Sequence, residues 1–144
     1  SAEAGAAFAL REVSRGAAFG DVDLDGDIDI VILNNNGPLQ LLLNQASSDN
    51  AWLQVAPVGA QDNRQGLGAM VGVEDDQGRT LWRQLQTDGS FCSASSPWVH
   101  FGLGAAGAVR RVTVRWPKWP AESWDALQIR QFAQLEQGTG SAVP

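Results

Sequence analysis

From residue 14 onward, apolar residues fall in short runs, each closed by glycine, proline, asparagine or aspartate. That rhythm predicts strands over residues 14–20, 28–33, 39–44, 52–58, 69–74, 79–86, 98–101, 109–116 and 132–136. Residues 28–33 are apolar on both faces, as in a strand covered on both sides. Residues 110–116 instead alternate: Val112, Val114 and Trp116 face one way, and Arg111, Thr113 and Arg115 the other. Asn34-Asn35-Asn36-Gly37-Pro38 is a turn that joins two strands into a hairpin, and Asp76-Gln77-Gly78 closes a second hairpin. No stretch keeps a helical period for long. Residues 121–127 have room for a turn or two of helix, and residues 4–13 for a short helix or a frayed strand. Strands this short and this evenly spaced predict an all-β chain, an antiparallel β-sandwich-like domain preceded by the first hairpin.

The polar connector Ala46-Ser47-Ser48-Asp49-Asn50 carries no apolar anchor and divides the chain into residues 1–46 and 47–144, which can still pack as one unit. Length and apolar content suffice for a real core. A net charge of −6 argues against nucleic acid as a partner, and no apolar run approaches the roughly 18 residues of a membrane span. No signal-peptide pattern is visible, so the sequence reads as a mature form or a fragment.

Five of the sixteen acidic residues lie in one nine-residue stretch, Asp21-Val22-Asp23-Leu24-Asp25-Gly26-Asp27-Ile28-Asp29. Carboxylates so close repel one another unless a cation sits among them. Positions one, three, five and nine, with glycine at six, suit a hard cation with oxygen ligands, and calcium in particular. An EF-hand needs a bidentate glutamate at position twelve, where this chain has Ile32 inside a predicted strand. The alternative is a solvated acidic turn.

Other chemistry is sparse. Cys92 is the only cysteine, which excludes an internal disulfide; it reads as a small buried hydrophobe, with a reactive or intermolecular thiol as the alternative. His100 is the only histidine and falls in a predicted strand, which leaves little for a hydrolase to be built on. Trp116-Pro117-Lys118-Trp119-Pro120, with Trp124 nearby, forms either a plug at one end of a sandwich or a platform for a sugar or a protein partner. Trp98 reads as core. The arginines of residues 110–115 are either a solubilised strand face or a stripe for a polyanion.

The acidic loop, with Ala18-Phe19-Gly20-Asp21 as its lead-in, resembles the calcium loop of FG-GAP repeats, the blades of integrin-type propellers. Ala51-Trp52-Leu53, Asn63-Arg64-Gln65-Gly66-Leu67-Gly68-Ala69, His100-Phe101-Gly102-Leu103-Gly104 and Val114-Arg115-Trp116-Pro117 resemble successive signatures of the ASPIC/UnbV domain. That domain follows FG-GAP repeats in the cartilage acidic protein family and its bacterial relatives. The resemblance implies a β-rich, secreted or cell-surface protein without catalytic activity. It also implies calcium held by side chains of Asp21, Asp23, Asp25 and Asp29 and by the backbone carbonyl of Asp27. After Trp116-Pro117 this chain departs from the family's serine-glycine turn, and it carries one repeat where relatives carry several. The expected function is therefore a calcium-stabilised module for adhesion, matrix or surface assembly. Its expected partners are another protein or further copies of itself in a filament, joined through an exposed strand edge. The alternative is a carbohydrate-binding module built on Trp116, Trp119 and Trp124.

Overall fold

A computed structural model describes residues 11–46, 49–61 and 63–143, and among them there is no helix. Eleven strands run in chain order: β1 (Ser14–Gly20), β2 (Asp29–Asn34), β3 (Gln40–Leu42), β4 (Ala51–Val58), β5 (Met70–Asp75), β6 (Thr80–Gln84), β7 (Val99–Gly104), β8 (Val109–Arg115), β9 (Glu122–Asp125), β10 (Gln131–Glu136) and β11 (Ser141–Ala142). The fold is all-β, as the hydrophobic rhythm predicts. The possible helix at residues 4–13 falls largely outside the described residues. The one at residues 121–127 is corrected to strand β9, which pairs antiparallel with β8 from Arg111 opposite Asp125 to Val114 opposite Glu122.

The strands gather in two compact units. The first comprises the described part of Ser1–Ala46 together with Asp88–Ser96, and the second comprises Ser47–Thr87 and Pro97–Pro144.

In the first unit β1, β2 and β3 form an antiparallel sheet in that order. Asn34 fastens the turn after β2: its Oδ1 accepts from Ser14 Oγ at 2.8 Å and its Nδ2 donates to the Pro38 carbonyl at 2.8 Å. Residues 88–96 cover the outer edge of β1. Ala17 N–H donates to Ser90 Oγ, Phe19 N–H donates to Ser95 Oγ, and Ser96 N–H donates to the Phe19 carbonyl. The approach is close enough that a Cβ on Gly16 would stand 2.4 Å from Ser93 Oγ. Cys92, expected to be buried, is exposed in this segment at a φ of +48°, because the loop lies on a sheet edge and encloses nothing. The buried residues of this unit among those described are Gly16, Gly26, Asp29 and Asn34. None is a large hydrophobe, so among the described residues hydrogen bonds and half-buried side chains such as Ile30, Ile32 and Leu42 take the place of a core.

The second unit has that core. One sheet runs β10-β4-β7, and a larger one runs β11-β9-β8-β5-β6. Leu53 and Val55 of β4, Phe101 and Leu103 of β7 and Leu135 of β10 pack in one cluster with Val71 and Val73 of β5 and Val112 and Val114 of β8. Each such side chain contributes about 1.5–3 kcal/mol when fully buried. β4 pairs antiparallel with β7 and parallel with β10.

The β5–β6 hairpin turns at Asp75, which is 1% exposed, with Gly78 at a φ of +80°. Burial pushes the Asp75 carboxyl up. The Arg79 N–H, the Arg79 side chain and the Gln77 N–H together outweigh it and hold the carboxyl below its ordinary 3.8. Arg79 then reaches the Leu103 carbonyl at 2.9 Å, tying the hairpin to β7. Trp98 is half-buried, edge-on to Phe132 with centroids 5.3 Å apart. The arginines of β8 have neighbours of their own. Arg111 Nε donates to Asp125 at 2.8 Å, Arg110 lies 3.7 Å from Glu74, and the Arg115 guanidinium sits 4.3 Å from the Trp82 ring centroid. They bind the face of their own sheet together, which favours the solubilised strand over the polyanion stripe.

Candidate metal centre

The acidic loop links β1 to β2, and its shape follows from its residues. Leu24 and Gly26 both take positive φ, +63° and +99°, so the chain turns sharply twice. Those turns fold the loop's own N–H groups onto its carboxylates. Asp25 N–H donates to Asp21 Oδ1 at 3.1 Å, Gly26 N–H to Asp21 Oδ2 at 2.8 Å, and Asp27 N–H to Asp25 Oδ1 at 2.8 Å. Asp29, at the start of β2, is 1% exposed. Its Oδ2 accepts from Val22 N–H at 2.7 Å and its Oδ1 from Asn44 N–H at 2.8 Å, so this one carboxylate ties both ends of the loop to the end of the hairpin.

Asp21, Asp23 and Asp29 come together, each offering a carboxylate oxygen within 4.8 Å of the others. Two oxygens on one calcium ion lie at most about 5 Å apart, twice the usual 2.3–2.6 Å bond. The trio therefore fits a single cation, and its all-oxygen chemistry suits calcium or magnesium over softer metals. Partial desolvation, and then the charges of Asp25, Asp29 and Asp21, hold the Asp23 carboxyl above its ordinary 3.8 against a lowering hydrogen bond from Asp25. A cation among these groups relieves that repulsion. Asp25 and Asp27 lie outside the trio, and Asp25 is turned toward the Asp27 backbone.

The three tryptophans of the other candidate surface separate. Trp116 is 7% exposed and belongs to the core, Trp124 is half-buried against it, and Trp119 is 48% exposed. A surface shared by all three is thereby corrected to one centred on Trp119. Alternation along β8 turns Trp116 inward with Val112 and Val114, and Trp124 Nε1 donates to Thr139 Oγ1 at 3.3 Å. Sequence reasoning missed Glu122, which faces the same region. Its carboxylate accepts from Gly138 N–H at 2.9 Å and Gly140 N–H at 3.2 Å. The two glycines flanking Thr139 were the available signal. His100 lies mid-strand in β7, opposite Gln54 of β4.

No curated protein matches the chain. The family model described as ASPIC and UnbV matches residues 59–142, while the acidic loop lies outside that match. The match covers more than half of the 144 residues and takes in every strand from β5 to β11, so the chain belongs to the ASPIC and UnbV family.

Proposed function

We propose that this protein is a non-enzymatic extracellular module in which calcium stiffens the N-terminal unit, an FG-GAP-like repeat of the kind found in cartilage acidic protein relatives. In this reading it serves adhesion, matrix or surface assembly. The observation that carries it is the convergence of Asp21, Asp23 and Asp29 within 4.8 Å in a unit whose described residues bury no large hydrophobe. Side chains of those three hold the ion, with Asp25 and the Asp27 carbonyl completing the set through the resemblance of the loop. Calcium supplies electrostatic cross-linking there and no chemistry. An extracellular setting agrees with the affinity such modules need, about 10⁻⁴–10⁻³ M. The test is a melting curve in calcium against one in chelator. At free calcium about 100 times the dissociation constant, mass action adds roughly 2.7 kcal/mol. Superimposable curves would remove the calcium reading.

The partner in this reading is a protein, and the surface it docks on is the β3 side of the first sheet. Leu33, Leu39, Leu41 and Leu43 are all exposed, and strand alternation with the Val31–Leu41 register sets them on one face. β3 is also an edge strand, able to accept another strand from a protein partner or from a second copy. Leu41→Lys is therefore expected to lower the particle mass seen by light scattering at high concentration, with the melting curve of the second unit unchanged. A parent chain that stays monomeric at every concentration would sink the self-assembly form of the proposal.

A further inference from the structure

We propose that the groove around Trp119 binds a neutral pyranose sugar, at a chain end or within a short oligosaccharide. The groove is built by the second unit alone. One cavity of about 340 Å³ lies between the Trp119-Pro120-Ala121 segment and the turn from Gln137 to Ala142. A second, of about 70 Å³, is lined by Trp116, Trp119 and Asn63, and a third, of about 470 Å³, by Gln61, Arg64 and Glu136. Trp119 borders the first two and Gln137 borders all three, so the cavities neighbour one another around these two residues as one groove.

A pyranose presents an apolar C–H face ringed by hydroxyls, so its site needs a flat aromatic surface with a few donors and acceptors around it. Trp119 is 48% exposed and stands between Lys118 and Pro120, with Pro117 one residue further back. The two prolines fix φ on both sides of the indole, which lowers the entropy lost when a ligand orders it. Gln137 Oε1 accepts from Ala60 N–H at 3.2 Å, which leaves its Nε2 as a donor at the groove. At the narrow end, Trp116 is 7% exposed and its indole N–H has no acceptor among the described residues. A buried donor without an acceptor costs stability, so this indole N–H is a sensitive reporter of a ligand that enters the cavity its residue lines.

Charge then selects the class of sugar. The groove is bordered by two cations, Lys118 and Arg64, and two carboxylates, Glu122 and Glu136, which cancel. The Glu122 carboxylate is moreover engaged by the N–H groups of Gly138 and Gly140, so its role is to position the turn that carries Gln137. Nothing here favours a uronate or a sulfated glycan over a neutral one.

The six indole N–H signals of the ¹⁵N-labelled full chain give the readout. The chain is titrated separately with maltopentaose, cellopentaose, mannopentaose and laminaripentaose, and with oligogalacturonate as the acidic arm, each in calcium and in chelator. At least one neutral oligosaccharide is expected to shift the signals of Trp119 and Trp116 while those of Trp52 and Trp82 stay in place. The response is expected to survive chelator, which keeps it separable from the calcium reading. Trp119→Ala is expected to weaken binding by about tenfold or more, and its unchanged remaining signals report an intact fold. The proposal is overturned if no neutral oligosaccharide moves either signal, if oligogalacturonate alone does so, or if Trp119→Ala binds as tightly as the parent.

Discussion

Asp29→Ala is expected to destabilise the N-terminal unit by about 3–6 kcal/mol and to erase its response to calcium, since each of two hydrogen bonds to this carboxylate contributes about 1.5–3 kcal/mol. Those bonds come from Val22 N–H at 2.7 Å and Asn44 N–H at 2.8 Å to a carboxylate that is itself 1% exposed, and the alanine removes the acceptor of both. Elsewhere a loss of this size is spread over a hydrophobic core. The described part of this unit buries only two glycines, an asparagine and Asp29 itself, so little remains to absorb it. Asp23→Ala separates metal from scaffold. Asp23 is exposed and its carboxyl is held above its ordinary value by desolvation and by its neighbours' charge, so removing it relieves repulsion in the metal-free loop. Its chelator melting curve is therefore expected to match or exceed the parent's, while the calcium-dependent rise disappears. Asp27→Ala, whose part in the site is a backbone oxygen, is expected to be mild in both media. A full calcium response in Asp23→Ala would show that the carboxylate trio is not where the ion sits.

The second large effect lies in the other unit. Gly66→Val is expected to cost about 2–5 kcal/mol, of which about 1–2 kcal/mol comes from the left-handed backbone and about 1–3 kcal/mol from overpacking. Gly66 has a φ of +63°, and a Cβ there would stand 2.5 Å from the Pro57 carbonyl oxygen and 2.9 Å from Pro57 Cβ. Pro57 is buried within β4, paired with Leu135 of β10, and has nowhere to retreat. The turn itself is tightly made: Gly66 N–H donates to the Asn63 carbonyl at 2.7 Å, and Ala69 N–H to the Gly66 carbonyl at 3.0 Å. Gly68 provides the internal control. Its φ is +84°, but a Cβ would meet only Pro117 Cγ at 3.5 Å, so Gly68→Ala carries the backbone cost alone. Thermal melts should rank Gly66→Val well below Gly68→Ala, by about 4–8 °C for each kcal/mol of difference. Equal melting temperatures would mean that the contact with Pro57 is not what excludes a side chain.

Much of the fold can be read from local pattern, and what cannot is non-local. The alternation of Val112, Val114 and Trp116 gives the inward face of β8, and Asp76-Gln77-Gly78 gives the β5–β6 turn, because each is decided by neighbours in the chain. Glu122-Ser123-Trp124-Asp125 has no strand signature of its own and becomes β9 by pairing with β8. Residues 88–96 carry no strand pattern, and only the bonds of Ser90, Ser95 and Ser96 to β1 reveal a sheet cap. The acidic loop was legible as a cluster, since charge density and spacing are local. Which carboxylates converge is less local: Asp21, Asp23 and Asp29 meet, while Asp25 Oδ1 accepts from the Asp27 N–H in a loop shaped by the turns at Leu24 and Gly26. The tryptophans likewise differ in ways their shared identity does not announce: one lies in the core, one against it and one at the surface.

The parallel pairing of β4 with β10 sets the order in which the second unit can assemble. Gln131 to Glu136 lie beside Leu53 to Val58, so nearly eighty residues must be made and gathered before that seam closes. Contacts so distant in sequence slow folding, because loop-closure entropy is lost before the pairing compensates it. On a ribosome, β4 can meet β7 as soon as residues 99–104 emerge, yet its other edge stays bare until residues 131–136 follow. For that interval the nascent protein displays an open backbone edge beside its most apolar strand, a stage at which a chaperone, or a neighbouring nascent chain, competes with β10 for the same hydrogen bonds.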